Sequence, residues 1–315
     1  MHRREFEDRE RARREAIDLY MAASFLFTHS LDEQRMYDIV SWARKKWTSR
    51  QENSVSILYN QLMKKSFRDT SWQKVAPWYN RITEHGQGHY YHQHVVIPGV
   101  IRLLALDQHS KILDLACGNG VLAKSLPKGI EYFGVDIAPA LINAAQKSDQ
   151  DHKHKYLVSD VTKPFQAPVD FTEAVMILSL QNIKDPAKAL QNASLHLKTG
   201  SIFVFILNHP AFRIPRQSAW GTDTDRKIQY RRVDKYMSPM VIPINMNPGD
   251  RNSEVTMSYH FPISDYSKML KDAGFVIEEI EEWTSDKESE GSAARMENRS
   301  RSEIPLFLAI KAIKK

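Results

Sequence analysis

The segment KILDLACGNGVLAKSL, Lys111–Leu126, joins a short apolar run to a turn punctuated by glycines. The run is too short for a buried helix and reads as a strand. It carries Asp114 near its end, turns through Ala116, Cys117, Gly118, Asn119 and Gly120, and is expected to enter a helix. Glycines in such a turn let the backbone approach a ligand where a Cβ would clash. Open α/β sheets bind ligands outside the carboxyl ends of their strands, where this turn would lie.

Downstream, strands and helices alternate. EYFGVDI is followed by the helix PALINAAQK, then KYLVSD, then TEAVMILSL with the helix PAKALQNASLHL, then SIFVFILN. Alternation of this kind predicts a doubly wound α/β domain, a parallel sheet with helices on both faces. About twenty residues after the first strand, Asp136 stands where a carboxylate can accept both hydroxyls of a ribose. The third strand ends in Asp160, placed to accept from an adenine amino group. Val161 and Ile137 flank these acids and would pack on the ring.

The flanks read differently. Residues 1–70 show helical spacing, as in Leu31, Met36, Ile39, Val40 and Trp47, and form an expected N-terminal helical extension. Residues 71–315 form the main domain. Within it, 71–110 lead up to the first strand, and 209–258, rich in Pro, Arg and Asn, break the alternation as an insertion or lid. PISDYSKMLKDAGF is an amphipathic helix stopped by Gly274. FVIEEIEEW and IPLFLAIKAI are the last strands, with a polar loop at 284–303 between them, expected to be mobile.

Composition narrows the class. Hydrophobic residues make up 42% of 315, enough for a packed core. The net charge is +6, with much of the basic excess in the first fifty residues, but no nucleic-acid-binding signature accompanies it. The single cysteine, Cys117, excludes an intrachain disulfide and a Cys-ligated cluster, and it reads as a buried spacer. No metal site is expected, since no carboxylate or cysteine completes a set with the histidines of HGQGHYYHQH. No apolar run reaches membrane-spanning length, so a cytoplasmic protein without a membrane partner is the expectation.

Taken together, the motifs resemble class I S-adenosylmethionine-dependent methyltransferases. ILDLACGNG is similar to their glycine-rich first motif, GVDIAPALINAA to the second, YLVSDVTKPF to the third and AVMILSLQNIKDPAKAL to the fourth. The resemblance runs in order over roughly residues 75–315. It implies a Rossmann-like seven-stranded sheet with an antiparallel last strand, and S-adenosylmethionine as cofactor. It also implies that Asp114 lies near the methionine end of the cofactor, that Gly118 and Gly120 line it, that Gln181 and Asn182 stand beside the reactive methyl, and that Ala116, Cys117 and Leu178 are further cofactor-binding residues. The pattern Gly118-x-Gly120-x-x-Ala123 fits a dinucleotide fingerprint too, but Asp114 just before the turn opposes a pyrophosphate and suits a cationic ligand.

Two stretches are candidates for the acceptor side. In HGQGHYYHQH, Tyr91 and His89 are the choices for contacts to the cofactor or acceptor. After the fifth strand, His209 is placed to act as a base. Arg213, Arg216, Arg231 and Arg232 suit an acidic acceptor, and Trp220 and Tyr230 a flat one. His260 is a second candidate base. The leading expectation is O- or N-methylation of a small molecule, acidic or aromatic. The alternatives are a macromolecular methyltransferase acting on RNA or protein, with residues 1–70 as docking module, and a non-enzymatic cofactor-binding scaffold.

Overall fold

A computed structural model describes residues 71–84, 90–168, 170–246 and 253–315. The expected helical extension, residues 1–70, and His89 lie outside the described residues. Helix α1, Ser71–Glu84, is followed by a π-helical turn, His92–Val96, that runs straight into α2, Ile97–Leu104. Strand β1 is Lys111–Leu115 and β2 is Glu131–Asp136. Next come α3, Pro139–Ser148, then β3, His154–Val158, and β4, Phe171–Ile177. Helix α4, Pro186–His196, leads directly into β5, Leu197–Asn208.

Seven strands form one sheet in the order β10-β11-β5-β4-β1-β2-β3, where β10 is Phe275–Trp283 and β11 is Phe307–Lys314. Strands β1 to β5 pair in parallel, while β11 runs antiparallel to both its neighbours. This is the Rossmann-like sheet with an antiparallel last strand. The chain direction along the sheet reverses between β1 and β4, which opens a crevice at their carboxyl ends. Ile112 to Leu115 and Phe203 to Leu207 are buried throughout, because helices cover both faces. On one face Leu113, Ala189, Leu190, Tyr266 and Phe275 share a core; on the other, Val100, Leu104, Ile112, Val204 and Ile206 do.

Local chemistry sets the helix ends. Asp185 caps α4 by accepting from the Lys188 amide at 3.3 Å, with Pro186 in the first turn. Helix α5, Ile263–Asp272, stops at Gly274, whose φ of +82° is open to glycine at little cost.

Three expectations are corrected. The glycine turn does not open a full helix. It continues into a single 3₁₀ turn, Ala123–Ser125, because Pro127 forces Leu126 out of helical conformation and β2 must begin soon after. The stretch 209–258 contains two hairpins among its described residues: β6, Ser218–Asp223, with β7, Ile228–Val233, and β8, Met240–Asn245, with β9, Val255–His260. Their faces are half-exposed, so polar and apolar residues do not alternate cleanly. The polar loop at 284–303 ends in a helix, α6, Ala294–Glu303. It is held by Ser300, whose hydroxyl donates to Gln229 on β7, and by Asn298, which bonds to both backbone groups of Ser289.

Candidate functional site

The glycine turn stands at the mouth of the crevice. Three residues in and around it hold left-handed backbone: Ala116 at φ 58°, Gly118 at 59° and Gly120 at 72°. Just past the adjacent strand β4, Leu178 does the same at 51°. Non-glycine residues in this region carry strain, which clusters at functional sites.

Asp114 and Asp136 sit at the ends of adjacent strands, and both are almost wholly buried. Tyr132 donates its hydroxyl to Asp114 Oδ2 at 2.7 Å, while Asp114 Oδ1 has no partner. Burial pushes this carboxyl up to about 7, the Tyr132 bond opposes the rise, and the charge of Asp136 adds to it. Asp136 accepts from the Gly118 amide at 2.9 Å through Oδ2 and from the Ala138 amide at 2.8 Å through Oδ1. Burial pushes it up to about 6 against those bonds. Ile137 follows it at the mouth, half-buried.

Asp160 follows β3. Its Oδ1 accepts from the Thr162 amide at 2.9 Å and the Thr162 hydroxyl at 2.7 Å, and Lys163 stands 3.7 Å from Oδ2. Asn192 donates to the Val161 carbonyl at 2.7 Å and fixes that loop from below. The Ser159 amide donates to the Asp136 carbonyl at 2.9 Å, so the second and third acids are tied together through backbone. The three acids therefore occupy one edge of the sheet, at the ends of β1 and β2 and just past β3.

On the other side of the crevice, the Leu178 carbonyl accepts from both Gln181 Nε2, at 3.1 Å, and Asn182 Nδ2, at 3.2 Å. Gln181 Oε1 and Ser179 Oγ are buried without partners. Cys117 is buried, and burial and the neighbouring acids push its thiol up, so it fills space and is no nucleophile.

Several residues that line this place were given no cofactor role from the sequence. Tyr79 of α1 lies across the turn; a Cβ on Gly118 would meet its ring at 3.2 Å. Asn119 laces α1 down, donating to Asn80 Oδ1 at 3.0 Å and Thr83 Oγ1 at 2.8 Å. His92, in the π-helical turn, joins Tyr79, Asp114, Ala116, Cys117 and Ile177 around a cavity of about 20 Å³, room for one water. Short π-helical segments often mark functional sites, a signal that sequence spacing hides. Tyr79 and Asn119 thus pack α1 onto the glycine turn.

The candidate bases are placed apart from this cavity. His209 is buried after β5. Its Nδ1 accepts from the Ala211 amide at 3.2 Å and its Nε2 donates to Glu282 Oε1 at 2.7 Å, so neither nitrogen keeps a free lone pair. Burial lowers its pKa, with Glu282 opposing. His260, at the end of β9, donates from Nε2 to the Tyr236 carbonyl at 2.6 Å, which leaves the lone pair on Nδ1. Tyr91 shares a hydrogen bond of 3.0 Å with Ser285 and packs edge-on against Phe307. Among the described residues, no group of three or more His, Cys, Asp or Glu is placed to hold a metal ion, and no helix is long and apolar enough to cross a membrane.

A buried carboxylate oxygen without a donor, next to a second acid at a glycine turn, fits a ligand with a cationic end and a ribose. S-adenosylmethionine has both, and when bound it supplies a methyl group on a sulfonium. Asp114 would hold its ammonium group and Asp136 its ribose hydroxyls, with Gly118 and Gly120 beneath it.

Residues 88–280 match a family described as a methyltransferase domain. YqeM of Bacillus subtilis (strain 168), which carries a methyltransferase name, is 26% identical over 210 residues, covering 61% of this chain and 84% of that protein. A ubiquinone biosynthesis O-methyltransferase of Colwellia psychrerythraea (strain 34H / ATCC BAA-681) is 27% identical over 99 residues, 30% of this chain and 40% of that protein. The crystal structure of an S-adenosylmethionine-dependent methyltransferase from Mesorhizobium loti superposes with a TM-score of 0.53 at 22% identity, over 69% of this chain and 96% of that one, and shares the fold. The chain belongs to the methyltransferase domain family and is a class I S-adenosylmethionine-dependent methyltransferase.

Proposed function

We propose that this methyltransferase acts on a hydroxyl or amine of a small organic molecule. The observation that supports this most is the roof of the crevice. Strand β9 packs on the turn Leu180–Asn182 and on α1, so the chain's own hairpin covers the acceptor side. A covered cleft suits a small molecule that enters whole, and it disfavours a polymer surface. The ubiquinone biosynthesis O-methyltransferase it resembles points the same way, toward a hydroxyl acceptor.

In this reading the cofactor lies against Asp114, Ala116, Cys117, Gly118, Gly120, Asp136, Ile137, Asp160, Val161, Leu178 and Gln181. Methyl transfer from a sulfonium is an in-line displacement, so the chain's main task is to position the acceptor. A hydroxyl acceptor needs a base as well. His260 supports that role best, since it sits on the roof hairpin with its Nδ1 lone pair available. His209 and Tyr91 then brace the walls.

The test is to incubate the protein with tritiated-methyl S-adenosylmethionine and a cell extract, then separate small metabolites from macromolecules. Label in the small-molecule fraction is expected. Label only in protein or RNA would overturn the reading and favour a macromolecular acceptor.

A further inference from the structure

Of the arginines that follow β5, Arg213, Arg216, Arg231 and Arg232 are the candidates for an acidic acceptor, and the structure divides them. Arg216 is exposed, and Arg232 is satisfied by Asp234 at 2.9 Å. Arg213 and Arg231 are half-buried, and among the described residues no carboxylate lies within 4.0 Å of either guanidinium. Both stand over the same indole ring, that of Trp220, at 5.2 Å and 5.3 Å. Two cations on one ring repel each other. Burial and the charge of Arg231 push Arg213 down to about 10.

Two half-buried cations packed on one ring without a counter-charge need an explanation. For Arg231 it is structural. Its Nε donates to the Phe212 carbonyl at 2.7 Å and its Nη2 to the Ser218 hydroxyl at 2.8 Å, which staples the β6–β7 hairpin to the chain leaving β5. Arg213 is different. It spends only Nε, on the Pro305 carbonyl at 3.4 Å, and its two terminal nitrogens have no partner among the described residues. A planar fork with both ends unspent matches a carboxylate or phosphate.

The position is suited to substrate. Arg213 comes five residues after the end of β5, at the edge where the crevice opens. Pro305 precedes Phe307, which pairs with Asn208 at that same edge. Tyr91 packs on Phe307, and its neighbour His92 lines the cavity with Asp114 and Ile177. A path of contacts and chain neighbours thus links Arg213 to the cavity beside the cofactor turn, through Pro305, Phe307, Tyr91 and His92.

We propose that Arg213, backed by Arg231 and Trp220, binds an anionic group of the acceptor, so that the molecule methylated is an acid, carrying a carboxylate or a phosphate. This deepens the small-molecule reading above and rests on it. The anion supplies the counter-charge the two guanidiniums lack, and the N–H fork fixes its orientation. Arg231 and Trp220 position Arg213.

The experiment titrates the full chain, saturated with S-adenosylhomocysteine, with benzoate, phenyl phosphate and neutral benzamide, and reads heat. One or both anions are expected to bind, and benzamide is not. The tighter anion tells carboxylate from phosphate. Arg213→Gln should weaken anion binding about tenfold or more, the loss of a charge-assisted contact, with S-adenosylhomocysteine binding unchanged. Arg213→Lys should restore only part of it, since the charge returns without the fork. Equal binding of benzoate and benzamide, no binding of either anion, or unchanged anion binding by Arg213→Gln would each overturn the proposal. If Arg213→Gln does not fold, the wild-type contrast between benzoate and benzamide decides. A wild-type chain that binds no S-adenosylhomocysteine contradicts the cofactor assignment, and the anions titrated into that ligand-free protein then decide the site alone by the same criteria.

Discussion

Tyr132 and Asp114, on adjacent strands, share a buried hydrogen bond of 2.7 Å that leaves the second oxygen of the carboxylate with no donor. The acid is held in a place where ionising is costly until a cationic ligand arrives. Its carboxyl is pushed up to about 7 in the folded, ligand-free chain, from 3.8 for a free side chain. A group raised on folding contributes stability that is full below its unfolded value and lost as pH rises through its folded value. The ligand-free protein should therefore lose stability between about pH 4 and pH 7. Asp114→Asn should flatten that part of the pH–stability curve, leaving a smaller slope from Asp136, which is pushed up to about 6. Urea denaturation at a series of pH values measures this, and an identical slope in the variant would contradict the burial of an ionising Asp114.

The same variant should bind S-adenosylhomocysteine more weakly, by roughly 1–3 kcal/mol, because an amide cannot replace a carboxylate facing an ammonium group. Calorimetry at pH 8 reads it directly. Affinity equal to wild type would mean that the unpartnered oxygen does not face the ligand.

Asn119 ties the glycine turn to α1. Its side chain is buried, donates to Asn80 and Thr83, and holds α1 with Tyr79 across Gly118. Asn119→Ala should release α1, so that amide hydrogen exchange in residues 71–84 speeds up while α4 and α5 stay as protected as before. Cofactor association should quicken as well. Exchange in α1 unchanged from wild type would show that Asn119 does not hold the helix.

Gly118 tests the other side of that contact. Its φ of 59° is left-handed, and an added Cβ would lie 3.2 Å from the Tyr79 ring. Gly118→Ala should cost about 1–2 kcal/mol of stability from backbone conformation alone. Pairing it with Tyr79→Ala should recover none of that backbone cost, only the part that comes from crowding. Full recovery in the double variant would show that contact, and not φ, makes glycine necessary.

How much of this was legible in sequence follows from where the information resides. Buried parallel strands such as Phe203–Leu207 are apolar without interruption, so β1 to β5 and their order of appearance could be read. The acids at strand ends were legible too, because chain position alone puts Asp114, Asp136 and Asp160 at one edge of a doubly wound sheet. The hairpins β6–β7 and β8–β9 were not, since Trp220, Tyr230, Val241 and Met257 leave their apolar surface open and blur the alternation. Helix α6 has no apolar stripe at all; tertiary bonds through Ser300 and Asn298 hold it. Tyr79 and His92 reach the site only through the packing of α1 and the π-helical turn. No local spacing encodes that approach.

His209 and His260 are the last pair to be separated, and their hydrogen bonds predict opposite phenotypes. His209 donates to Glu282 and accepts from the Ala211 amide, so its ring is a buried brace at the junction of β5 and β10. His209→Ala should remove about 1–3 kcal/mol of stability by orphaning the Ala211 amide and opening a void, with turnover by the folded protein largely retained. Its pKa lies below the ordinary 6.5, so its share of stability is present above that pH and is lost as the medium becomes more acidic, the opposite sign to Asp114. His260 keeps a lone pair on Nδ1 while its Nε2–H is held by the Tyr236 carbonyl. His260→Ala should lower kcat about 100-fold on a hydroxyl acceptor, the usual loss for a general base, with cofactor affinity unchanged. An amine acceptor delivered unprotonated needs no such base, and its turnover should fall much less. Thermal melts and turnover of both variants on one acceptor decide the assignment. A large kcat loss in His209→Ala beside a normal His260→Ala would exchange their roles and require the Glu282 bond to open during turnover.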